Sequence, residues 1–470
     1  MPRPKGKVAY VCGDCGNESP KWAGRCPSCG EWNTIAEFQV DGRNGGNTRR
    51  AGAQASVAQS LSEVSTERLP RLRVRSDEVN RVLGGGLVPG SLTLLAGEPG
   101  IGKSTLLLRI AADASLSSGK TLYVSGEESA AQVKMRADRL GISGEDVYLL
   151  PATGLDDVLH SLEEHSPAVA VIDSIQTVYD EGVASEAGSL AQIKECTRRL
   201  TEWAKVHDTS MILSGHVTKG GDIAGPRVLE HMVDVVLYME GDPISSWRLL
   251  RTVKNRFGST NEVGIFEMTE KGLTDVTDPS KAFLSERRDG AIGSVVVSTL
   301  EGSRPLLVEV QALTSPSALP TPRRVATGLD FNRLLLICAV LTRRAGLSLS
   351  NQDIVVNVTG GLKVGEPAAD LGVALAIASS CHNVPVDAGV AVIGEVGLTG
   401  EVRSVPQIDR RVSEVSRLGL NRCILPDVAG RSLAQYEGME TVPVRSVAEA
   451  VNACIPRGQR RRNRAETPTP

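Results

Sequence analysis

The sequence predicts an α/β protein of three parts: a small cysteine-rich module, a core in which strands and helices alternate, and a second α/β domain. Three observations predict this arrangement. A glycine-rich segment lies between an apolar strand and a helical stretch, further apolar strands alternate with helical stretches up to about residue 275, and four of the nine cysteines fall before residue 30. Strands that alternate with helices are typical of a parallel sheet covered by helices.

The composition is that of an ordinary globular protein. The chain has 470 residues, of which 41% are hydrophobic and 23% are charged, which excludes collagen, a long coiled coil and wholesale disorder. Apolar runs such as Leu334 to Leu341 and Leu371 to Ala378 end well short of the roughly 20 residues that cross a bilayer. No apolar signal segment follows Met1. We therefore expect a cytoplasmic protein without a membrane segment.

Four cysteines form two Cys-x-x-Cys pairs, Cys12 with Cys15 and Cys26 with Cys29. Two such pairs can place four thiolates around a tetrahedral Zn²⁺, so we predict a zinc module over residues 1–39. Trp22 and Trp32 are expected to cover it as its apolar residues. A disulfide pair would need an oxidising compartment, of which the sequence gives no sign. The other five cysteines occur singly and are expected to be small buried hydrophobic residues.

The two ends of the chain are basic, although the net charge is −3. Residues 1–75 hold 12 Lys and Arg against 7 Asp and Glu, a net +5, and the tail 457–470 holds five Arg against one Glu, a net +4. Either end could contact phosphate groups, or both could be solvated, and composition leaves this open. Residues 40–65 contain no aromatic residue and are rich in Gly, Asn, Gln, Ser and Ala. This segment is predicted to be a flexible linker.

A P-loop motif follows the apolar strand Leu92 to Ala96 and opens a helical stretch. Backbone N–H groups of such a loop close around phosphate oxygens, while Lys103 adds a cation and Ser104 a Mg²⁺ ligand. An ordinary glycine-rich turn would leave the Lys-Ser pair unexplained. The predicted nucleotide-binding residues are Gly97, Glu98, Pro99, Gly100, Ile101, Gly102, Lys103, Ser104 and Thr105.

Carboxylates follow two other strands. Asp173 ends the apolar strand Ala168 to Ile172 and is predicted to hold Mg²⁺, directly or through water. Glu127 and Glu128 follow the strand Thr121 to Ser125, at the sheet edge where ligands bind in α/β folds. One of the two could orient the attacking water. For Glu128, a plain favourable interaction with a helix N-terminus is equally open.

His216 ends a further strand and precedes a glycine-rich stretch. We expect a mobile, ligand-sensing loop there. His216 could sense the γ-phosphate from the strand end, or it could be an ordinary hydrogen-bonded residue. A GTPase is disfavoured, because the guanine-reading Asn/Thr-Lys-x-Asp pattern is absent: Thr218 and Lys219 precede Asp222 with one residue too many.

Four segments together resemble the bacterial RadA/Sms family of DNA repair proteins: Leu83-Gly-Gly-Gly-Leu-Val-Pro-Gly90, the P-loop, Val124-Ser-Gly-Glu-Glu-Ser129 and Lys254-Asn-Arg-Phe-Gly258. The resemblance covers nearly the whole chain. It implies a RecA-like ATPase core over 66–275, with ATP, Mg²⁺ and Zn²⁺ as cofactors. It also implies a hexameric ring around single-stranded or branched DNA that drives branch migration alongside the RecA recombinase.

The C-terminal part, expected over 276–456, is predicted to contain strands such as Ser294 to Ser298 and Leu306 to Val310, with helices from Phe331 and from Ala369. It resembles the proteolytic domain of Lon in Gly360 to Leu371 and in Ile393 to Glu401. In Lon a serine follows Gly-Pro and a lysine activates it. Here Ala368 takes the serine position and Asp409 the lysine position, and Lys363 is not its equivalent. We therefore expect a non-proteolytic assembly and DNA-facing scaffold. Three arginines could line its inner surface or be merely solvated: Arg403, Arg410 and Arg411.

Lys254 and Arg256 follow an apparent strand in a Lys-x-Arg spacing, and strand alternation puts both on one face. In ring-forming RecA-like ATPases the corresponding basic pair reaches the neighbour's γ-phosphate, like an arginine finger. The resemblance therefore implies a catalytic role in trans. A contact with DNA phosphate and a plain solvated pair are the alternatives.

Overall fold

The computed structural model describes residues 71–216, 226–241, 245–427 and 438–456, positions 60 and 70, and part of the segment 7–40. The chain forms two compact units: Met1–Met239 with Thr252–Ser259, and Glu240–Arg251 with Thr260–Pro470. No helix within the described ranges is both long enough and apolar enough to cross a membrane.

The N-terminal module contains a three-stranded antiparallel sheet. Its strands are β1 (Lys7–Cys12), β2 (Glu18–Ser19) and β3 (Ile35–Val40), in the order β2-β1-β3. Cys12 ends β1, and Cys15, Cys26 and Cys29 lie outside the described residues, so the zinc site stays a prediction. The predicted tail and nearly all of the predicted linker also lie outside them.

The two tryptophans of this module do not form an apolar cover. Trp22 is 61% exposed and Trp32 is 67% exposed, so the expectation that they cover the ribbon is wrong. The Arg25 guanidinium lies 5.9 Å from the centroid of the Trp32 ring. A module of this size buries a smaller share of its surface than a larger domain does, so large side chains such as indole rings tend to stay exposed.

The first unit then alternates helices and strands. The helices are α1 (Asp77–Leu83), α2 (Lys103–Ser118), α3 (Ala130–Arg139), α4 (Leu155–His165), α5 (Leu190–His207) and α6 (Pro226–Met232). The strands are β4 (Leu92–Gly97), β5 (Thr121–Ser125), β6 (Val147–Pro151), β7 (Val169–Asp173), β8 (Ser210–His216) and β9 (Val235–Glu240).

These six strands form a parallel sheet in the order β9-β4-β8-β7-β5-β6. β4 and β5 are buried at every position, as expected for parallel strands that are covered on both faces. Their apolar side chains pack in one core with residues of α4 and α5. All carboxyl ends of the strands therefore lie at one edge of the sheet.

The second unit begins with a meander of three antiparallel strands. β10 (Trp247–Asn255), of which residues 247–251 belong to this unit, pairs with β11 (Val263–Thr269), and β11 pairs with β12 (Gly272–Asp275). Residues 260–275, which the sequence assigns to the core domain, therefore fall in the second unit. The predicted domain limits stay predictions.

The rest of the second unit is a mixed α/β domain. Its helices are α7 (Pro279–Leu284), α8 (Phe331–Arg344), α9 (Asp370–His382), α10 (Ile408–Arg417) and α11 (Val447–Cys454). Its strands are β13 (Ser294–Glu301), β14 (Arg304–Pro316), β15 (Arg324–Thr327), β16 (Gln352–Val358), β17 (Val390–Val392), β18 (Glu395–Val396), β19 (Val402–Arg403), β20 (Arg422–Pro426) and β21 (Glu440–Val444).

Seven of these strands form one sheet in the order β15-β16-β14-β13-β17-β20-β21. The sheet is mixed, because β13, β14 and β16 pair antiparallel while the outer pairs are parallel. α9 is buried at its first ten positions and lies within the main apolar core. The expected strands in β13 and β14 and the expected helix from Phe331 agree with the structure.

Candidate functional site

Four strand ends bring the predicted site residues together. The P-loop follows β4, Glu127 lies just after β5, Asp173 ends β7 and His216 ends β8. The register places Gly97 opposite His216, and Ser125 opposite Asp173. Because neighbouring parallel strands end at the same edge, these groups meet there, which is where α/β sheets bind ligands.

Two glycines shape the P-loop. A Cβ on Gly97 would lie 2.7 Å from the carbonyl oxygen of Met239, so no larger residue fits between the loop and the neighbouring strand. Gly102 adopts φ 116° as the residue before α2, where it makes no side-chain cap. The first N–H groups of α2 are therefore left for an anionic ligand.

Lys103 is buried and fully engaged. Its ammonium donates to the carbonyl oxygens of Gly97 at 2.9 Å and Glu98 at 3.0 Å, and it lies 3.2 Å from Nδ1 of His216. These three contacts account for all three N–H bonds of the ammonium. Burial lowers the pKa of Lys103, and the charges of Asp173 and Glu127 oppose that shift.

The donor set suits Mg²⁺ and a triphosphate. Ser104 and Thr105 lie half-buried in the first turn of α2. Ser104 contributes a hydroxyl and Asp173 a carboxylate, the oxygen ligands that Mg²⁺ prefers. A Cβ built on Gly100 meets no atom within 4 Å, so there is open space beside the loop. Ser104, Asp173 and the loop backbone would thus hold the ion and its phosphates.

Asp173 is held by a buried tyrosine. The Tyr123 hydroxyl donates to Oδ2 of Asp173 at 2.7 Å, and Tyr123 has no solvent exposure. Burial and the Asp173 carboxylate raise the pKa of Tyr123 well above its usual value. The tyrosine therefore stays a neutral hydrogen-bond donor.

The two adjacent acids have different partners. Glu127 accepts from the Ser174 hydroxyl at 2.7 Å, and its Oε1 lies 3.2 Å from Nε2 of His216. Glu128 instead forms an ion pair with Arg136. Helix α3 begins after both acids, because Ser129 is its N-cap residue in a capping box. Glu127 thus lies in the site, whereas Glu128 contacts Arg136 of α3.

His216 connects the P-loop lysine to Glu127. Because Lys103 is a donor, Nδ1 of His216 accepts, and the ring proton lies on Nε2, which donates to Glu127. The side-chain amide of Gln176 donates to the His216 carbonyl at 3.5 Å. The glycine-rich stretch after His216, predicted to be a sensing loop, lies outside the described residues.

Three residues of this site were not predicted. Tyr123, Ser174 and Arg136 touch the predicted carboxylates, but none belongs to the P-loop motif. Of these three, only Tyr123 could have been found from the sequence. It is the one aromatic residue of a strand that is apolar enough to be buried, so its hydroxyl is expected to be buried as well. A buried tyrosine hydroxyl normally has a hydrogen-bond partner.

Comparison with known proteins identifies the family. Residues 58–222 match the model of an AAA domain, residues 10–37 that of a rubredoxin metal-binding domain, and residues 337–429 that of subunit ChlI of Mg-chelatase. The chain is 48% identical to the DNA repair protein RadA of Bacillus subtilis (strain 168), over 96% of this chain and 99% of that protein. The chain belongs to the RadA family of DNA repair proteins.

The resemblance to the RadA family that the sequence motifs indicated is thereby confirmed. A second RadA relative, from Listeria monocytogenes serovar 1/2a, is 46% identical over 97% of this chain and 100% of its own length. Among solved structures, a KaiC-like protein from Pyrococcus horikoshii OT3 is similar over 44% of this chain and 99% of its own, with 19% identity and a TM-score of 0.38.

Lys254 and Arg256, in the RadA-type Lys-Asn-Arg-Phe-Gly segment, contact one short stretch. The Lys254 ammonium donates to the carbonyls of Glu230 at 2.7 Å and Val233 at 2.8 Å, and Arg256 pairs with Asp234 at 2.9 Å. Asp234 also accepts from the backbone N–H of Leu92, at the amino end of β4.

The basic pair therefore lies at the amino ends of the parallel strands, whereas its own P-loop lies at their carboxyl ends. β4 runs from Leu92 to Gly97, and at about 3.3 Å per residue the two ends are about 16 Å apart. Partial burial and the neighbouring Arg256 lower the pKa of Lys254. Within one chain of this RadA family member, neither side chain is placed to reach the nucleotide.

The Lon-like positions carry no nucleophile. Ala368 is buried in an apolar cluster with Ile408 and Val412. Asp409 lies on α10 and lines an open groove with Ser303, Pro305, Arg410, Ser413 and Glu414. Lys363 is exposed. At the two positions that the resemblance equates with the Lon serine and lysine, Ala368 has no hydroxyl and Asp409 has no amine.

One expectation for this part of the RadA chain is wrong. Arg411 cannot line a DNA-facing surface, because it is completely buried. Its guanidinium pairs with both carboxylate oxygens of Glu366, at 2.7 and 2.6 Å, and donates to the carbonyls of Ser298 at 2.8 Å and Pro406 at 3.0 Å. Arg403 and Arg410 are exposed, as expected.

Proposed function

We propose that the chain is a DNA-stimulated ATPase of recombinational DNA repair. We further propose that it works as a hexameric ring in the cytoplasm and drives branch migration of recombination intermediates with the RecA recombinase. One observation carries the proposal: Lys103, Glu127 and Asp173 meet at one edge of a parallel sheet. The chain that holds them matches relatives named DNA repair proteins over almost their whole length. Single-stranded and branched DNA are the proposed partners.

In this proposal the P-loop N–H groups and Lys103 hold the phosphates, and Ser104 and Asp173 hold Mg²⁺. ATP with Mg²⁺ supplies the phosphoanhydride bond whose hydrolysis drives the motor. Lys103 has to exchange at least one of its three acceptors for a phosphate oxygen, because its ammonium has no further N–H bond. Its burial strengthens that contact, because little water competes for the charge.

Glu127 is the proposed holder of the attacking water. Its carboxylate accepts from Ser174 and His216 and is half exposed, so oxygen lone pairs remain for a water molecule. The Glu128 carboxylate is instead engaged in an ion pair with Arg136 of α3. The location of Glu127 next to Lys103 and Asp173 therefore favours it over Glu128.

His216 is the proposed γ-phosphate sensor. It bonds both Lys103 and Glu127, so a phosphate that draws Lys103 away changes both of its hydrogen bonds. Its strand leads directly into the glycine-rich stretch, and a change at the nucleotide is thereby passed to that segment. An ordinary structural histidine would not need to contact both of these charged groups.

Lys254 and Arg256 are proposed to act on the nucleotide of a neighbouring subunit. The opposite-edge location of the pair argues against action on its own nucleotide. Binding of DNA phosphate is the alternative that the same location allows. The ion pair with Asp234 would hold Arg256 until a neighbour or DNA engages it.

The zinc module is proposed to bind one Zn²⁺ through Cys12, Cys15, Cys26 and Cys29 and to couple the motor to DNA or RecA. The match to a metal-binding domain over residues 10–37 supports this. The C-terminal unit is proposed to be an assembly and DNA-facing scaffold. Ala368 and Asp409 argue against the rival function, an ATP-dependent protease.

Branch migration of a synthetic three-strand junction tests the proposed motor function. We expect the purified protein to move the junction with ATP, and Lys103→Ala to leave it in place while it keeps a wild-type circular dichroism spectrum. Junction binding without movement would instead favour a nucleotide-gated assembly protein. Cleavage of unfolded casein in the presence of ATP, by the wild-type protein but not by a variant that lacks the C-terminal unit, would favour an ATP-dependent protease.

A further inference from the structure

We propose that Tyr123 is a positioning residue of the nucleotide site: its hydroxyl fixes the Asp173 carboxylate so that this group presents the same oxygen to Mg²⁺ at every turnover. The inference rests on the proposed function, because it assigns a role to a residue behind the proposed Mg²⁺ ligand. No family model or relative's name refers to this residue.

The strand register explains how Tyr123 reaches Asp173. Tyr123 lies opposite Val171, and Ser125 lies opposite Asp173. Residues opposite each other in a parallel pair, and residues two apart on one strand, share a sheet face. Tyr123 and Asp173 therefore lie on the same face, two positions apart along the strands. The long side chain of Tyr123 spans this distance and ends 2.7 Å from Oδ2.

Packing alone does not require a tyrosine here. Tyr123 is completely buried in the middle of β5, where a phenylalanine would fill the same space and would need no acceptor. A buried hydroxyl costs free energy unless it is paired. The hydroxyl is paired with a carboxylate that is itself only partly buried. The tyrosine thus connects the core to the carboxylate of the site that is proposed to bind metal.

A neutral donor suits this task better than a cation. An arginine or lysine in place of Tyr123 would neutralise the carboxylate and compete with Mg²⁺ for it, whereas a phenol orients one oxygen and leaves the charge. Arg136, whose charge also acts on Tyr123, is held by Glu128. Partners of this kind behind a metal ligand typically change metal affinity by about 10–100-fold.

Tyr123→Phe in the full-length protein tests the proposal. We expect the binding of a fluorescent ATP analogue in EDTA to stay as in the wild type, while the Mg²⁺ concentration that gives half-maximal ATP turnover rises by about tenfold. Binding of the analogue with Mn²⁺ in place of Mg²⁺ should weaken in parallel. A merely structural role would lower the thermal midpoint without changing either metal dependence.

Tyr148→Phe is the matched control. Tyr148 lies on the neighbouring strand β6, opposite Leu122, and its ring packs beside His165. The Tyr148→Phe variant also loses a tyrosine hydroxyl, but one that does not contact Asp173. Its metal dependence should therefore equal that of the wild type. The double variant Tyr123→Phe/Asp173→Asn should bind Mn²⁺ no more weakly than Asp173→Asn, because the tyrosine acts only through the carboxylate.

The proposal would be overturned if Tyr123→Phe folds and shows the same metal dependence as the wild type. It would also be overturned if the loss of Mn²⁺ affinity in the double variant equals the sum of the losses in the two single variants. If Tyr123→Phe does not fold, the tyrosine is a core residue and the proposal is wrong. Failure of the proposed function would differ from all of these, because the wild-type protein itself would then bind no ATP analogue.

Discussion

At the scale of single residues, two neighbouring acids of the site differ in their partners. Glu127 contacts Ser174 and His216 at the sheet edge, and Glu128 pairs with Arg136. Sequence position alone cannot distinguish adjacent glutamates. Their partners can, because a carboxylate in an ion pair is less free to hold a water molecule than one that accepts from neutral groups.

The pair Glu127→Gln and Glu128→Gln tests this division of roles. We expect Glu127→Gln to bind ATP as the wild type does and to lose about 100-fold or more in turnover, because a positioned base typically contributes this much. Glu128→Gln should stay within about tenfold of the wild type, as it loses only a partly exposed ion pair. Turnover of both variants is measured by phosphate release, and ATP binding by fluorescence titration.

The reverse ranking would transfer the role to Glu128. Equal losses in both variants, with ATP binding intact, would show that the acids act as one unit. Either result contradicts the assignment of the water to Glu127 alone.

At the scale of elements, a buried ion pair holds α10 against the segment before α9. Arg411 of α10 donates two hydrogen bonds to the Glu366 carboxylate, which also accepts from the N–H of Leu300 in β13. On the other side of the Ala368 turn, Asp370 pairs with Arg333 of α8. The turn that would carry a Lon-type serine is thus fixed on both sides by ion pairs.

Arg411→Met should destabilise the C-terminal unit by about 3–5 kcal/mol, because it leaves the partly buried Glu366 carboxylate without its cation. The neighbouring Arg410→Met is the control, since Arg410 is exposed and donates only to one carbonyl at 3.2 Å. Its effect should stay within about 0.5 kcal/mol. Urea unfolding followed by circular dichroism measures both. Equal effects of the two variants would contradict the buried role of Arg411.

The elements were more predictable from the sequence than the contacts of single side chains. The P-loop, β13, β14 and the start of α8 follow from apolar patterns and glycine spacing, and the structure agrees with them. Arg411 was misjudged because a helical arginine usually faces solvent, and only a long-range partner, Glu366, reveals its burial. Trp22 and Trp32 were misjudged because an apolar side chain does not by itself show that a small module can enclose it.

At the scale of the whole molecule, the location of Arg256 bears on the proposed assembly. Its location at the sheet edge opposite to the P-loop gives it no target on its own nucleotide. In the proposed ring, Arg256 of one subunit would face the nucleotide of the next.

Mixing Arg256→Ala with an excess of Lys103→Ala tests the action in trans. Each variant alone should be inactive, and the mixture should recover part of the turnover, because some interfaces then combine an intact P-loop with an intact Arg256. Turnover is measured across mixing ratios, with subunit exchange shown by fluorescence energy transfer. No recovery at any ratio, together with weaker DNA binding by Arg256→Ala, would assign the residue to DNA.

The metal content of the whole chain tests the N-terminal module. We expect about one zinc per chain, since four thiolates complete one tetrahedral site. Cys26→Ser should release it, and Cys338→Ser, which changes a buried thiol of α8, should not. Elemental analysis of the purified variants gives the answer. Full zinc content in Cys26→Ser would contradict the four-cysteine site.

The most direct test of the proposed DNA-stimulated motor is ATP turnover by the wild-type protein with and without single-stranded DNA, with Lys103→Ala as the reference. We expect turnover to rise several-fold on addition of DNA, and Lys103→Ala to show none in either condition. Turnover that DNA does not change would contradict the proposed motor and leave a nucleotide-gated assembly protein. Turnover that survives in Lys103→Ala would contradict the site itself.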